Sequence, residues 1–137
     1  MEVRLALIIC KEGTSRDRVE RAATRCGLAP ICCRRIEEAR ALLPQGDFRV
    51  VLSEDILPDG DFHMAIRETK AHAGQAAFIV LAEKSEWDDY LRGLAAGVFE
   101  YILCPPSVVE SETVLRCAMA STLALHGSNS RPNHAVA

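Results

Sequence analysis

Aromatic side chains are scarce in this chain: one Trp, two Tyr and four Phe among 137 residues. A core built from it must be mostly Leu, Ile, Val and Ala. No apolar run approaches the roughly 18 residues of a membrane span. The start, Met1-Glu2-Val3-Arg4, lacks the basic stretch and long apolar run of a signal peptide. Charge of one sign is also missing. Lys and Arg number 16 against 19 Asp and Glu, a net of −3, so nothing draws the chain toward nucleic acid or an anionic membrane. There is no Cys-x-x-Cys and no Cys/His spacing that suits zinc. His63, His72, His126 and His134 are scattered, with no i, i+4 pair. No Gly-rich phosphate loop follows the first apolar run, which disfavours a nucleotide or flavin binder. These absences point to a soluble cytoplasmic protein without metal or cofactor.

What is present is a repeated pattern. Val3 to Cys10 is almost continuously apolar, as in a strand buried on both faces. Thr14 can cap a following helix, with Asp17 as its acidic partner three residues on. That helix carries Val19, Ala22, Ala23 and Cys26 on one face and is stopped by Gly27. Its arginines, Arg16, Arg18, Arg21 and Arg25, are interrupted by Asp17 and Glu20 and read as a solvated face. A second strand spans 29–33 and a second helix 36–43, ended by Pro44 and Gly46. A third strand covers 48–53, and Asp59-Gly60 turns into a helix over 62–72. The fourth strand is 77–82. Ser85 can cap the fourth helix, whose face holds Trp87, Tyr90, Leu91, Leu94 and Ala95. Phe99 to Leu103 is the fifth strand, and Ser107 to Leu125 the last helix. Residues 1–125 thus form one α/β domain, and 126–137, rich in Gly, Ser, Asn and Pro, a disordered tail.

Strict alternation of strand and helix implies a parallel sheet with helices on both faces. The expected fold is flavodoxin-like, a doubly wound (βα)5 arrangement with strand order 2-1-3-4-5. Its functional edge lies at the carboxyl ends of strands one, three and five: Cys10-Lys11, Ser53-Glu54 and Leu103-Cys104.

Several local motifs fall in this frame. They are Leu57-Pro58-Asp59-Gly60, the helix end Leu94-Ala95-Ala96-Gly97, and Tyr101 followed four residues later by Pro105. In this order they resemble the receiver domain of bacterial two-component response regulators, over about residues 3–125. The resemblance implies a phosphorelay module. It also implies an acidic pair after strand one for Mg²⁺, an acceptor Asp four residues before the Pro, a hydroxyl ending strand four and a Lys ending strand five. Here those positions hold Cys10 and Lys11, Glu54, Ala82 and Cys104. Only the aromatic at Tyr101 and the proline at Pro105 remain, and the Cys104–Pro105 bond is expected to be cis.

Each departure has a chemical consequence. Lys11 puts a cation where a metal belongs. Glu54 is one methylene longer than Asp and aligns poorly as a phosphoacceptor. Ala82 cannot bind a phosphoryl oxygen, and Cys104 is no cationic clamp. A compensation is expected, with Lys11 pairing to Glu54 across the emptied pocket. The resemblance therefore suggests a pseudo-receiver, not an enzyme, acting by phosphorylation-independent protein–protein interaction. Its expected surface is the fourth helix, fifth strand and last helix, used for a protein partner or a homodimer, with Trp87, Tyr90 and Tyr101 as local anchors. Two alternatives stay open. Asp55 could serve as acceptor with Glu12 as a metal ligand, although alternation along the strand directs Asp55 away from Glu54. Cys10 or Cys104 could be a redox-sensing thiol if Lys11 lowered its pKa. The bland reading of all six cysteines, at 10, 26, 32, 33, 104 and 117, is small apolar filling.

Overall fold

The computed structural model describes residues 3–83 and 87–128, without the side chains of Trp87 and of 122–128. Five parallel strands form one sheet: β1 (Leu5–Ile9), β2 (Ala29–Cys33), β3 (Phe48–Glu54), β4 (Ala77–Ala82) and β5 (Glu100–Leu103). In these labels the order is 2-1-3-4-5. Two further strands, Ile56–Leu57 and Gly60–Asp61, pair antiparallel in a separate small ladder, so counting all seven along the chain makes the order 2-1-3-6-7. The sequence reading had only a turn at Asp59-Gly60, because two-residue runs carry no periodicity.

The strand residues alternate between two cores. Leu7, Ile9, Val51, Phe78 and Val80 face α2 (Ile36–Leu42) and α3 (Phe62–His72). Ala6, Ile8, Val50, Leu52, Ile79 and Ile102 face α1 (Thr14–Arg25) and α5 (Val108–Ser128). Burial on both sides explains why β1 reads as an unbroken apolar run. Its end is shorter than expected: Val3 is exposed and lies outside the strand.

Helix starts differ from the sequence expectation in instructive ways. Gly13, not Thr14, occupies the cap position of α1, and its carbonyl accepts from the Asp17 amide at 3.0 Å. Asp61 caps α3 by accepting from the Met64 amide at 3.2 Å. Asp59, read as a turn residue, reaches back across the fold and accepts from the amides of Ile36 (2.9 Å) and Glu37 (3.1 Å), capping α2. The expected cap at Ser85 lies outside the described residues. Ser107 does cap α5, accepting from the Glu110 amide at 2.9 Å. That helix continues to Ser128, so 126–128 are helical and not tail. The rest of the expected tail, 129–137, lies outside the described residues.

The fourth helix, α4 (Trp87–Ala96), is rotated from the expected face. Leu91, Leu94 and Ala95 are exposed, whereas Gly93 is buried and Tyr90 half-buried. The α1 arginines are only partly a solvated face. Arg16 donates to the Cys10 carbonyl at 3.5 Å, Arg18 to the Pro106 carbonyl at 3.0 Å, and Arg25 pairs with Glu112 of α5.

Candidate functional site

The carboxyl ends of β1, β3 and β4 and the residue after β5 open onto a cleft of about 630 Å³. Cys10, Lys11, Glu12, Glu54, Asp55 and Cys104 all line it. Parallel register explains the convergence. Ile9 lies beside Ser53, Glu54 beside Leu81, and Ala82 beside Leu103, so the chain leaves each strand at the same level. The loop backbones are then tied together: Asp55 N–H donates to the Leu81 carbonyl at 3.1 Å and Cys104 N–H to the Ala82 carbonyl at 2.8 Å. The Cys104–Pro105 peptide is cis, as the sequence led us to expect.

Glu54 is fully engaged. One oxygen accepts from the Lys11 backbone N–H at 3.1 Å and the other from the Lys11 ammonium at 3.2 Å. The Lys11 side chain is 63% exposed and that of Glu54 19%. The hydrogen bond to Glu54, then its charge, raises the Lys11 pKa. Because the lysine end is wet, the pair contributes only about 0–1 kcal/mol to stability. Its significance is positional: the Glu54 carboxylate in the cleft is engaged at both oxygens by Lys11.

Asp55 does not turn away as alternation suggested. β3 ends at Glu54, the chain bends at Asp55, and both residues line the cleft. The Asp55 carboxylate is folded onto its own following amide, accepting from Ile56 N–H at 2.9 Å. Sequence reasoning missed two further acidic residues at the rim, Glu83 and Asp89, and Ser15 from the start of α1. They occupy no motif position, so only the fold brings them in.

The thiols are the opposite of activated. Cys10 is 1% exposed. Burial, then the charge of Glu54, pushes its pKa from 9.0 to about 12, and Lys11 recovers only part of that. Cys104 is half-buried, and burial raises its pKa too. The expected lowering by Lys11 is thus overridden, because the ammonium is committed to Glu54 at the wet mouth while Cys10 sits below it.

A divalent cation does not fit this donor set. Cys10 and Lys11 bring a buried thiol and an ammonium, and both Glu54 oxygens already accept hydrogen bonds from Lys11. Among the described residues no group of three or more His, Cys, Asp and Glu side chains could hold a metal ion. Calorimetric titration with millimolar Mg²⁺ should therefore give no saturable heat. A saturable signal that disappears in Glu12→Gln or Glu54→Gln would refute this.

Tyr101, on β5, is turned inward. Its hydroxyl donates to the Asp89 carbonyl of α4 at 3.0 Å. Its ring lies 5.2 Å from Tyr90 and meets Phe62 edge-on at 6.1 Å. Burial, then the charges of Asp89 and Asp55, raises its pKa and keeps the hydroxyl a donor. Tyr101 is thus half-buried and packed against Tyr90 and Phe62. The side chain of Trp87 lies outside the described residues. Among the described residues, Leu91, Leu94, Leu103 and Val109 are the large apolar side chains exposed on α4, β5 and α5.

Solved structures that share this fold include receiver domains. The signal receiver domain of an HD domain-containing protein from Pseudomonas fluorescens Pf-5 superposes with a TM-score of 0.77 at 17% identity, covering 90% of this chain and 99% of that one. The fold is that of a receiver domain. The non-phosphorylated HemR receiver domain from Leptospira biflexa gives 0.73 at 21% identity, covering 97% and 100%. The beryllofluoride-activated NtrC4 receiver domain dimer gives 0.77 at 19%, covering 87% and 98%. At these identities the likeness establishes the fold and not the chemistry. No protein-family model matches the sequence, and neither does any curated protein.

Proposed function

We propose that this chain is a cytoplasmic, non-enzymatic pseudo-receiver that signals by protein–protein interaction without being phosphorylated. The observation that carries this reading is the Lys11–Glu54 pair, in which both carboxylate oxygens are occupied by one residue of the first loop. A phosphoryl group would have to displace that residue, and neither Ala82 nor Cys104 would bind it. Asp55 is the remaining carboxylate, and it is folded onto the Ile56 amide. Thiol sensing at Cys10 or Cys104 is disfavoured by the raised pKa of both.

The partner surface is α4, β5 and α5. Among the described residues β5 pairs with β4 alone, at the edge of the sheet, and Leu91, Leu94, Leu103 and Val109 on these three elements are exposed. Asp88 and Arg92 on α4 and Glu110 on α5 are exposed and of mixed charge, which suits a protein surface better than a polyanion. A second copy of the chain is the first candidate partner, in keeping with the dimer described for the NtrC4 receiver domain. Among the described residues no helix is long and apolar enough to cross a membrane.

The test is sedimentation over a concentration series, with and without acetyl phosphate plus Mg²⁺, alongside intact-mass measurement. The expected result is no phosphoryl adduct and an unchanged association constant. Glu54→Gln should agree with the parent within about threefold, under roughly 0.7 kcal/mol. An adduct on Asp55 or Glu54 would sink the proposal. So would a tenfold loss in Glu54→Gln with the fold intact, which would make Glu54 a mimic of a phosphorylated state.

A further inference from the structure

Gly93 lies in the middle of α4, where glycine is an unfavourable choice for the helix itself. It is nevertheless buried, and the helix face it occupies is turned toward β5. A Cβ built at Gly93 falls 1.9 Å from the Tyr101 hydroxyl oxygen, 2.8 Å from Cζ and 3.0 Å from Cε1. The missing side chain is thus the space that the phenol occupies. The hydroxyl lands on the Asp89 carbonyl, 3.0 Å away, one turn earlier. In a regular helix that carbonyl is the acceptor for the amide of residue 93. The absent side chain and the accepting carbonyl therefore belong to the same turn, and the ring is supported from its other sides by Tyr90 and Phe62.

We infer that Gly93 and Tyr101 form a socket-and-ring lock that fixes α4 against the edge strand β5. The lock sets the rotation of α4, which is why Leu91 and Leu94 point outward. Seating Tyr101 requires a hole in the helix, and only glycine provides it, because the closest atoms belong to a rigid ring and not to the end of a flexible chain. The lock's hydrogen bond is accepted by Asp89, which also lines the rim of the cleft, so the lock adjoins the cleft while the Lys11–Glu54 pair is made without it. The inference does not depend on which molecule docks on that face, nor on the absence of phosphorylation.

A double-mutant cycle read by urea unfolding tests it. Gly93→Ala in an unconstrained helix should raise the unfolding midpoint, because Ala is the better helix former. In the parent we expect the reverse: a fall in the folding equilibrium constant of roughly tenfold or more, through the clash with Tyr101. In a Tyr101→Ala background the same substitution should stabilise by about fourfold. Gly93→Ala in a Tyr101→Phe background should lie between, because the hydroxyl is gone but Cζ and Cε1 remain close. If Gly93→Ala alone does not fold, recovery of a folded protein in Gly93→Ala/Tyr101→Ala is the supporting result. Equal effects of Gly93→Ala in both backgrounds, of either sign, or failure of both variants to fold, would overturn the lock.

Discussion

Raising the pH from 8.5 to 10.5 under reducing conditions should lower the unfolding free energy of this protein by about 2–4 kcal/mol. The cause is two core thiols. Cys10 is 1% exposed and Cys33 7%. Burial pushes each from 9.0 to about 12, helped by the charge of Glu54 at Cys10 and of Glu38 at Cys33. In the unfolded chain both ionise near 9; in the folded chain both stay neutral until about 12. The raised folded value means the stabilisation is complete below pH 9 and is lost progressively as the pH climbs toward 12. Each pH unit above 9 costs up to about 1.4 kcal/mol per thiol, and local relaxation that admits water places the expected loss at or below the full sum. Cys26, Cys32, Cys104 and Tyr101 are also raised by burial, so their contributions have the same sign. The check is urea unfolding at the two pH values for the parent and for Cys10→Ala/Cys33→Ala. The double variant should show a markedly shallower loss, whatever its absolute stability. An identical pH dependence in both proteins would show that these thiols ionise freely in the folded state.

The same burial decides between the sequence-level readings of the cysteines. The scarcity of aromatics leaves small residues to fill the space below the cleft, and Cys10 fills it as an apolar side chain. Nothing in the sequence measures how deep a thiol lies, so an adjacent lysine looked equally able to activate it. The structure separates the two by a single step of the chain: Cys10 is the last residue inside, and Lys11 the first outside.

The sheet was legible because its five strands are short, mostly apolar and separated by helical segments. The Lys11–Glu54 pair was legible through the resemblance to receivers, which puts both residues in one pocket, and the parallel register places them at one level. What the sequence concealed depends on contacts between distant segments. Asp59 looks like a turn former, and its capping of α2 requires a loop 23 residues away to return beside Ile36. The apolar period of α4 suggests that Leu91 and Leu94 pack inward. An isolated Gly93 gives no sign that Tyr101 will claim that face instead. Strand alternation directs Asp55 away from Glu54, and alternation no longer governs the chain once the strand has ended at Glu54.

Leu115→Ala should be the most damaging single truncation of the helix that carries the proposed partner surface, with an expected loss of about 2–5 kcal/mol. Leu115 is fully buried on α5 and belongs to the core of Ile8, Leu52, Ile79, Leu81 and Ile102. Ala118, three residues on, is also fully buried, so the helix approaches the sheet closely there and Leu115 is the large side chain beside that contact. Farther out, the α1–α5 contact is polar. Glu112 pairs with Arg25 and, at 3.6 Å, with Arg116. Those arginines are largely exposed, so they cannot replace lost apolar burial. A cavity under α5 should therefore loosen the helix before the rest of the sheet, since Val50, Leu52 and Ile79 keep their strand neighbours. Hydrogen exchange should show the earliest loss of protection in α5, and urea unfolding should show the full decrease. The contrasting variant is Val109→Ala, at a side chain 74% exposed on the same helix. It should change stability by no more than about 0.5 kcal/mol while weakening any association that uses this face. If Leu115→Ala cost less than about 1 kcal/mol, α5 would not be docked through Leu115. If Val109→Ala left association untouched, the α4–β5–α5 surface would lose one of its exposed contacts as a docking determinant.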